Sequence, residues 1–283
     1  MSPERYLWSL YEPVHAIVYF EPRVAGCLAD HGLHGFWNGY FAGRAAPLGA
    51  VGPDPVRALF FGFAPTMVAA ALPKVWSRIT PEQAVAARVD AAERVLAPLL
   101  EPGDDVRRAV DLLVEAAGEA STDGRALAAA WQGVAVPDEP AARLWWAVTV
   151  LREHRGDGHV LAATAAGLSG LQAGVTHVAT GRVTRASLQP HRGWTDEEWD
   201  DAVAGLAERG LVLDDGSALT AAGHDLREAV EAETDRLARP ATAHLEHDPG
   251  VRALLEPLGR AIAAAGALPA ANPRGVPVPE AGA

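Results

Sequence analysis

The sequence predicts a mainly α-helical protein of two helical modules, the second a winged helix-turn-helix with a small β-hairpin. Three observations carry this. Alanine and leucine recur at helical spacing. In 82–100 that spacing puts Val85, Val89, Ala92, Leu96 and Leu99 on one stripe. Strand signals are confined to 209–223, where Leu211-Val212-Leu213, an Asp214-Asp215-Gly216-Ser217 turn and Ala218-Leu219-Thr220 form a minimal hairpin. Finally, two capping boxes repeat. Trp76 precedes Thr80-Pro-Glu-Gln83 and Trp194 precedes Thr195-Asp-Glu-Glu198, each after a glycine-punctuated apolar segment, 49–75 and 156–181. This repetition is compatible with a tandem winged-helix duplication in which only the second copy keeps its hairpin. The plainer alternative is that capped helices commonly follow loops.

Residues 1–136 read as an all-helical N-terminal module, with helices expected over 6–20, 82–100, 105–117 and 125–132. Residues 133–140 (GVAVPDEP) form a linker, since two prolines interrupt any periodicity. Residues 141–240 form the winged-helix module, in which Thr220 is placed to cap the helix after the hairpin. A C-terminal helix is expected over 249–266, and 267–283, with four prolines, reads as a flexible Pro/Ala/Gly tail.

With 49% hydrophobic residues and 21% charged ones, the 283-residue chain can bury a sizeable core. The formal charge of −12 disfavours phosphate polymers and anionic membranes, although a local basic patch stays compatible with it. The single Cys27 excludes an internal disulfide and a cysteine-cluster zinc site. There is no basic leader followed by an apolar run, and no uninterrupted span-length apolar stretch. The expectation is an acidic, soluble, cytoplasmic protein without a membrane partner.

Arg209-Gly-Leu-Val212, the Asp-Gly turn and Leu219-Thr-Ala-Ala-Gly223 resemble the winged helix-turn-helix of the MarR-like class. The resemblance implies that the helix before Gly210 would read the major groove and the hairpin would be the wing. The stretches 10–20, 36–49, 153–159, 192–199 and 231–237 together resemble a family of mostly actinobacterial proteins, classed as helix-turn-helix by their C-terminal half. That resemblance implies a fold, not an activity. The charge pattern argues against DNA readout. Residues 195–209 carry six acids (Asp196, Glu197, Glu198, Asp200, Asp201, Glu208) against Arg209. Acids at a helix start suit its dipole but repel phosphates, and Asp214-Asp215 give the wing tip the same sign. Arg182, Arg185 and Arg192, just upstream, are the candidate backbone contacts of a DNA-binding alternative.

Three stretches could carry chemistry. In 36–49, Trp37, Tyr40 and Phe41 cluster, with Tyr40 and Phe41 one helical turn from Arg44, a pattern that suits a planar or carboxylate-bearing ligand. The competing reading is a tight helix contact with Arg44 paired to a buried acid. In 6–20, Trp8, Tyr11, His15 and Tyr19 share one face, as pocket lining or as core. In 153–159 (EHRGDGH) two glycines indicate a tight turn, with Asp157 capping the next helix. There Arg155 is a ligand candidate and His159 an acid/base group oriented by Asp157. A structural corner is the alternative.

The leading expectation is therefore a small-molecule-binding protein on a regulator-like scaffold. Its ligand would lie against Trp8, Tyr11, His15, Tyr19, Trp37, Tyr40, Phe41, Arg44 and Arg155. A dimeric DNA-binding regulator, or an enzyme using His15 or the Asp157/His159 pair, are the alternatives. The His31/His34 and His244/His247 spacings complete no metal site, so no metal is expected. Walker A and GxGxxG loops are absent, and no cofactor is indicated.

Overall fold

Many of the described helices start on a side-chain cap. In the computed structural model, which describes residues 1–268, Ser2 caps α1 (Pro3–Phe20) by accepting from the Arg5 amide. After α2 (Pro22–Ala25), α3 (Phe36–Ala45), α4 (Pro53–Phe60) and α5 (Pro65–Ala71), the expected Thr80/Gln83 box opens α6 (Pro81–Leu96). Then follow α7 (Asp104–Glu119), α8 (Ala126–Gln132) and α9 (Pro140–Ala165). A further capping box, Ser169/Gln172, opens α10 (Gly170–Ala179). Thr184 caps α11 (Arg185–Arg192), and Thr195 with Glu198 boxes α12 (Asp196–Glu208). Thr220 caps α13 (Ala221–Thr242) and Asp248 caps α14 (Pro249–Ala264).

The protein is mainly helical, as expected, but several local expectations are corrected. The 153–159 run is no turn: it lies inside the continuous 26-residue α9. Its glycines serve close packing. A Cβ on Gly158 would stand 2.8 Å from Arg125 Nη1. That guanidinium donates to the backbone oxygens of His154 (3.1 Å) and Leu237 (2.9 Å), tying α8, α9 and α13 together. The buried face of α6 is rotated by about one residue, so Ala84, Arg88, Ala91 and Val95 face inward with Ala92 and Leu96, leaving Val85 and Val89 half-buried. The hairpin shrinks to one antiparallel bridge, Val212 to Leu219, and no strand forms among the described residues. Two backbone bonds close it, Leu213 to Ala218 (3.0 Å) and Thr220 to Leu211 (3.1 Å). Arms this short have no third strand to extend the pairing. Gly223 is required here, since a Cβ would meet the Leu211 oxygen at 1.9 Å. Of the expected tail, Ala267 and Leu268 are buried, and 269–283 lie outside the described residues.

Two apolar cores result. The larger runs from Leu7 to Leu151 and includes the last turn of α13 and all of α14, with Trp131, Trp145 and Trp146 fully buried. The smaller collects Ala162, Leu168, Val175, Trp199, Leu206, Leu219 and Val230. Helix α9 supplies both, its first half packing in the larger core and its last turn in the smaller. The face of α9 between these regions borders a cleft. No described helix is long and apolar enough to cross a membrane.

Candidate functional site

Three helices each turn one polar stripe to this cleft, whose volume is about 560 Å³. Arg5, Trp8 and Glu12 come from α1, Arg152, Arg155 and His159 from α9, and Arg227, Glu231 and Thr234 from α13. Each set keeps three- and four-residue spacing, so each lies on one helical face. Tyr40 and Arg44 add the end of α3, His177 adds α10, and Arg182 and Arg192 flank α11.

Arginine dominates the walls. Arg44 forms a two-pronged pair with Glu153, at 3.1 and 3.0 Å, and Arg152 reaches the same carboxylate at 2.8 Å. Burial alone would raise the Glu153 carboxyl, but Arg152 and Arg44 outweigh it and hold it well below the usual range. Arg155 donates to Asp235 at 2.6 Å and Arg5 to the same residue at 2.9 Å. The second terminal nitrogen of Arg155, Nη1, is buried and has no hydrogen-bond partner among the described residues. Arg227 pairs with Glu231 at 3.2 Å. Aromatic faces take up the remaining cationic surface: Arg44 lies 4.1 Å over Phe60, Arg192 4.5 Å over Phe63 and Arg155 5.4 Å over Trp8.

The Phe60–Phe63 wall is held in an uncommon conformation. Phe61 has φ 55° and ψ −63°, and the Gly62 amide bonds the Phe60 oxygen at 2.6 Å, which closes a γ-turn. A non-glycine residue in such a conformation costs of order 1–3 kcal/mol and persists only where surroundings enforce it. Here Trp194 Nε1 donates to the Gly62 oxygen (2.9 Å) and the Ala64 amide to the Arg192 oxygen (2.8 Å). These bonds clamp the larger core's wall to the α11–α12 turn.

The expected site residues separate into two groups. Trp8, Tyr40, Arg44, Arg155 and His159 line the cleft. Tyr11, His15, Tyr19 and Phe41 are core residues, and Trp37 packs edge-on to Phe63 and tilted to Phe41. His15 lies 2.9 Å from Thr149 and 3.0 Å from Tyr19, stacked on Trp145. The expected Asp157–His159 pair does not form. Asp157 accepts from the Leu127 and Ala128 amides, both at 3.0 Å, capping α8 rather than a following helix. His159 stands 3.1 Å from Thr234 instead. Arg5, Arg152, His177 and Arg227 were not singled out in the sequence. For Arg152 the signal is the basic face of α9, with Arg152, Arg155 and His159 at i, i+3 and i+7; Arg5, His177 and Arg227 carry no such local signal.

The arginines expected to approach DNA do other work. Arg182 and Arg192 line the cleft, and Arg185 pairs with Asp196 (3.1 Å) and Asp200 (2.6 Å). All six acids of α12 remain on the outer surface. No group of three or more metal-ligating side chains comes together among the described residues.

Burial sets the titration of the site. It pushes His154 and His177 down to about 4, with Arg125 adding at the first and Arg227 and Arg182 at the second. It also lowers His159. Burial, with Glu153, pushes Asp157 up to about 6. The unfolded chain takes up histidine protons near pH 6.5, whereas the fold resists them until about 4, so each histidine removes stability as pH falls through that window. Asp157 acts oppositely between about 6 and 3.8, because there the fold holds the proton more tightly. Three histidines against one aspartate leave a net loss, roughly 3 kcal/mol for His154 alone. Urea midpoints measured from pH 7 to pH 4.5 are expected to fall, and His154→Gln to flatten the slope. A rising midpoint would contradict this.

Among curated proteins and among solved structures, nothing matches the chain. A family model described as a helix-turn-helix family matches residues 4–269. That match spans nearly the whole chain, both cores and the cleft between them, and the protein therefore belongs to this helix-turn-helix family.

Proposed function

We propose that the protein binds a small, negatively charged molecule with an apolar body in this cleft. Its scaffold is regulator-like but does not read DNA sequence. One observation carries the reading. Seven guanidiniums line the cleft, and even without Arg192 the other six outnumber the four carboxylates beside them (Glu12, Glu153, Glu231 and Asp235) by two among the described residues, inside a chain of net charge −12. Cationic groups gathered against the overall charge, beside aromatic faces, in a cavity of ligand size, form a site for an organic anion.

In this reading α11, α12 and the bridged turn are a winged helix-turn-helix with a reduced wing. The family match favours a second reading, a DNA-binding regulator. The exposed acids of α12 oppose it, because phosphate neutralisation supplies most of the affinity for DNA.

One comparison separates the two. The freshly purified chain is expected to carry a small anion in native mass spectrometry, or its melting temperature to rise with benzoate, phenyl phosphate or pyrophosphate. Mixed genomic duplex DNA is expected not to be retained at physiological salt. An empty protein indifferent to all three anions, with salt-dependent retention of DNA, would reverse the assignment.

A further inference from the structure

The cleft also indicates what kind of anion it takes, an inference that rests on the cleft being a ligand site. We propose that the end formed by Arg182, Arg192, Arg227 and His177 receives the phosphoryl group of an organic phosphate whose body lies along the rest of the cleft.

The direction of the donors is the first argument. Arg182 comes from the segment between α10 and α11, Arg192 from the last turn of α11, Arg227 from α13 and His177 from α10. A planar carboxylate is well served by two guanidiniums, as Glu153 is by Arg44 and Arg152. A tetrahedral group with three terminal oxygens accepts donors arriving from several elements at once. Arg182 has no ion pair or side-chain hydrogen bond among the described residues, and its side chain is exposed to an arriving ligand.

Charge is the second argument. A monoanion would leave half of that two-charge excess uncompensated, whereas a phosphate monoester brings about −1.5 to −2 at neutral pH. Third, Arg155 Nη1 is an orphan donor on a side chain only 6% exposed, in the cleft wall that also carries His159. A buried guanidinium nitrogen without an acceptor is costly, so Arg155 keeps unmet donor capacity at the cleft wall. Glu231 is the opposing feature. It holds Arg227 at 3.2 Å and would repel a dianion.

The test titrates the full chain at low salt, following tryptophan fluorescence, with phenyl phosphate, benzoate and inorganic phosphate. Phenyl phosphate is expected to bind about tenfold or more tighter than either of the others. Arg182→Gln, at an exposed position, is expected to weaken phenyl phosphate about tenfold and leave benzoate within about twofold. Glu231→Gln is expected to tighten phenyl phosphate, a gain that misfolding does not produce. If benzoate binds as well as phenyl phosphate, or Arg182→Gln weakens both alike, the phosphoryl assignment fails and the cleft remains a site for other organic anions. If none of the three binds to the folded chain, and native mass spectrometry finds it empty, both readings fail.

Discussion

Replacing Glu153 with alanine is expected to cost about 3–5 kcal/mol of folding stability, a large share of the total for a protein of this size. Glu153 is 1% exposed and is the shared acceptor of Arg44 and Arg152. Its removal leaves the buried Arg44 with only the weak Tyr40 contact at 3.4 Å and its position over Phe60. Arg152 keeps Glu12, at 3.6 Å. Two close guanidiniums without their common carboxylate repel each other in a region water reaches poorly. Substituting Arg44 and Glu153 together by methionine and leucine is expected to recover much of the loss, because the desolvation cost of both charges then disappears. Chemical denaturation of both variants checks this. A single-variant loss below about 1 kcal/mol would mean that solvent already screens the pair.

Gly170→Ala is expected to cost about 3 kcal/mol and to open the cleft. Its new Cβ would stand 1.9 Å from the Phe61 oxygen and 2.6 Å from the Phe61 carbonyl carbon, and backbone cannot rotate away as a side-chain tip can. Either α10 or the γ-turn must retreat. Retreat breaks the clamp made by the Trp194–Gly62 and Ala64–Arg192 hydrogen bonds. Gly118→Ala is the control. Its Cβ meets nothing within 4 Å and it sits inside α7, so alanine there is expected to stabilise by about 0.5–1 kcal/mol. Equal effects at the two positions would refute the close-approach argument. Faster quenching of cleft tryptophans in Gly170→Ala alone would support it.

Helix starts could be read in the sequence because capping acts within three residues. Thr80, Thr195 and Thr220 cap helices where their neighbours say they should. The acid-rich α12 was equally readable, since exposed charge on a capped helix needs no distant partner. The 153–159 run was misread because Gly156 and Gly158 have poor local helix propensity. Packing against α8 and α13 overrides that preference. The partner of each arginine was invisible for a different reason, and even the expected pairing of Arg44 with a buried acid named no acid. Arg44 meets its carboxylate across 109 positions of chain, and Arg155 meets Asp235 across 80. A guanidinium's partner depends on which helices cross, and no local pattern encodes that. The cleft is the product of those crossings: α1, α9 and α13 each carry one polar stripe, and only their convergence concentrates positive charge in an acidic protein.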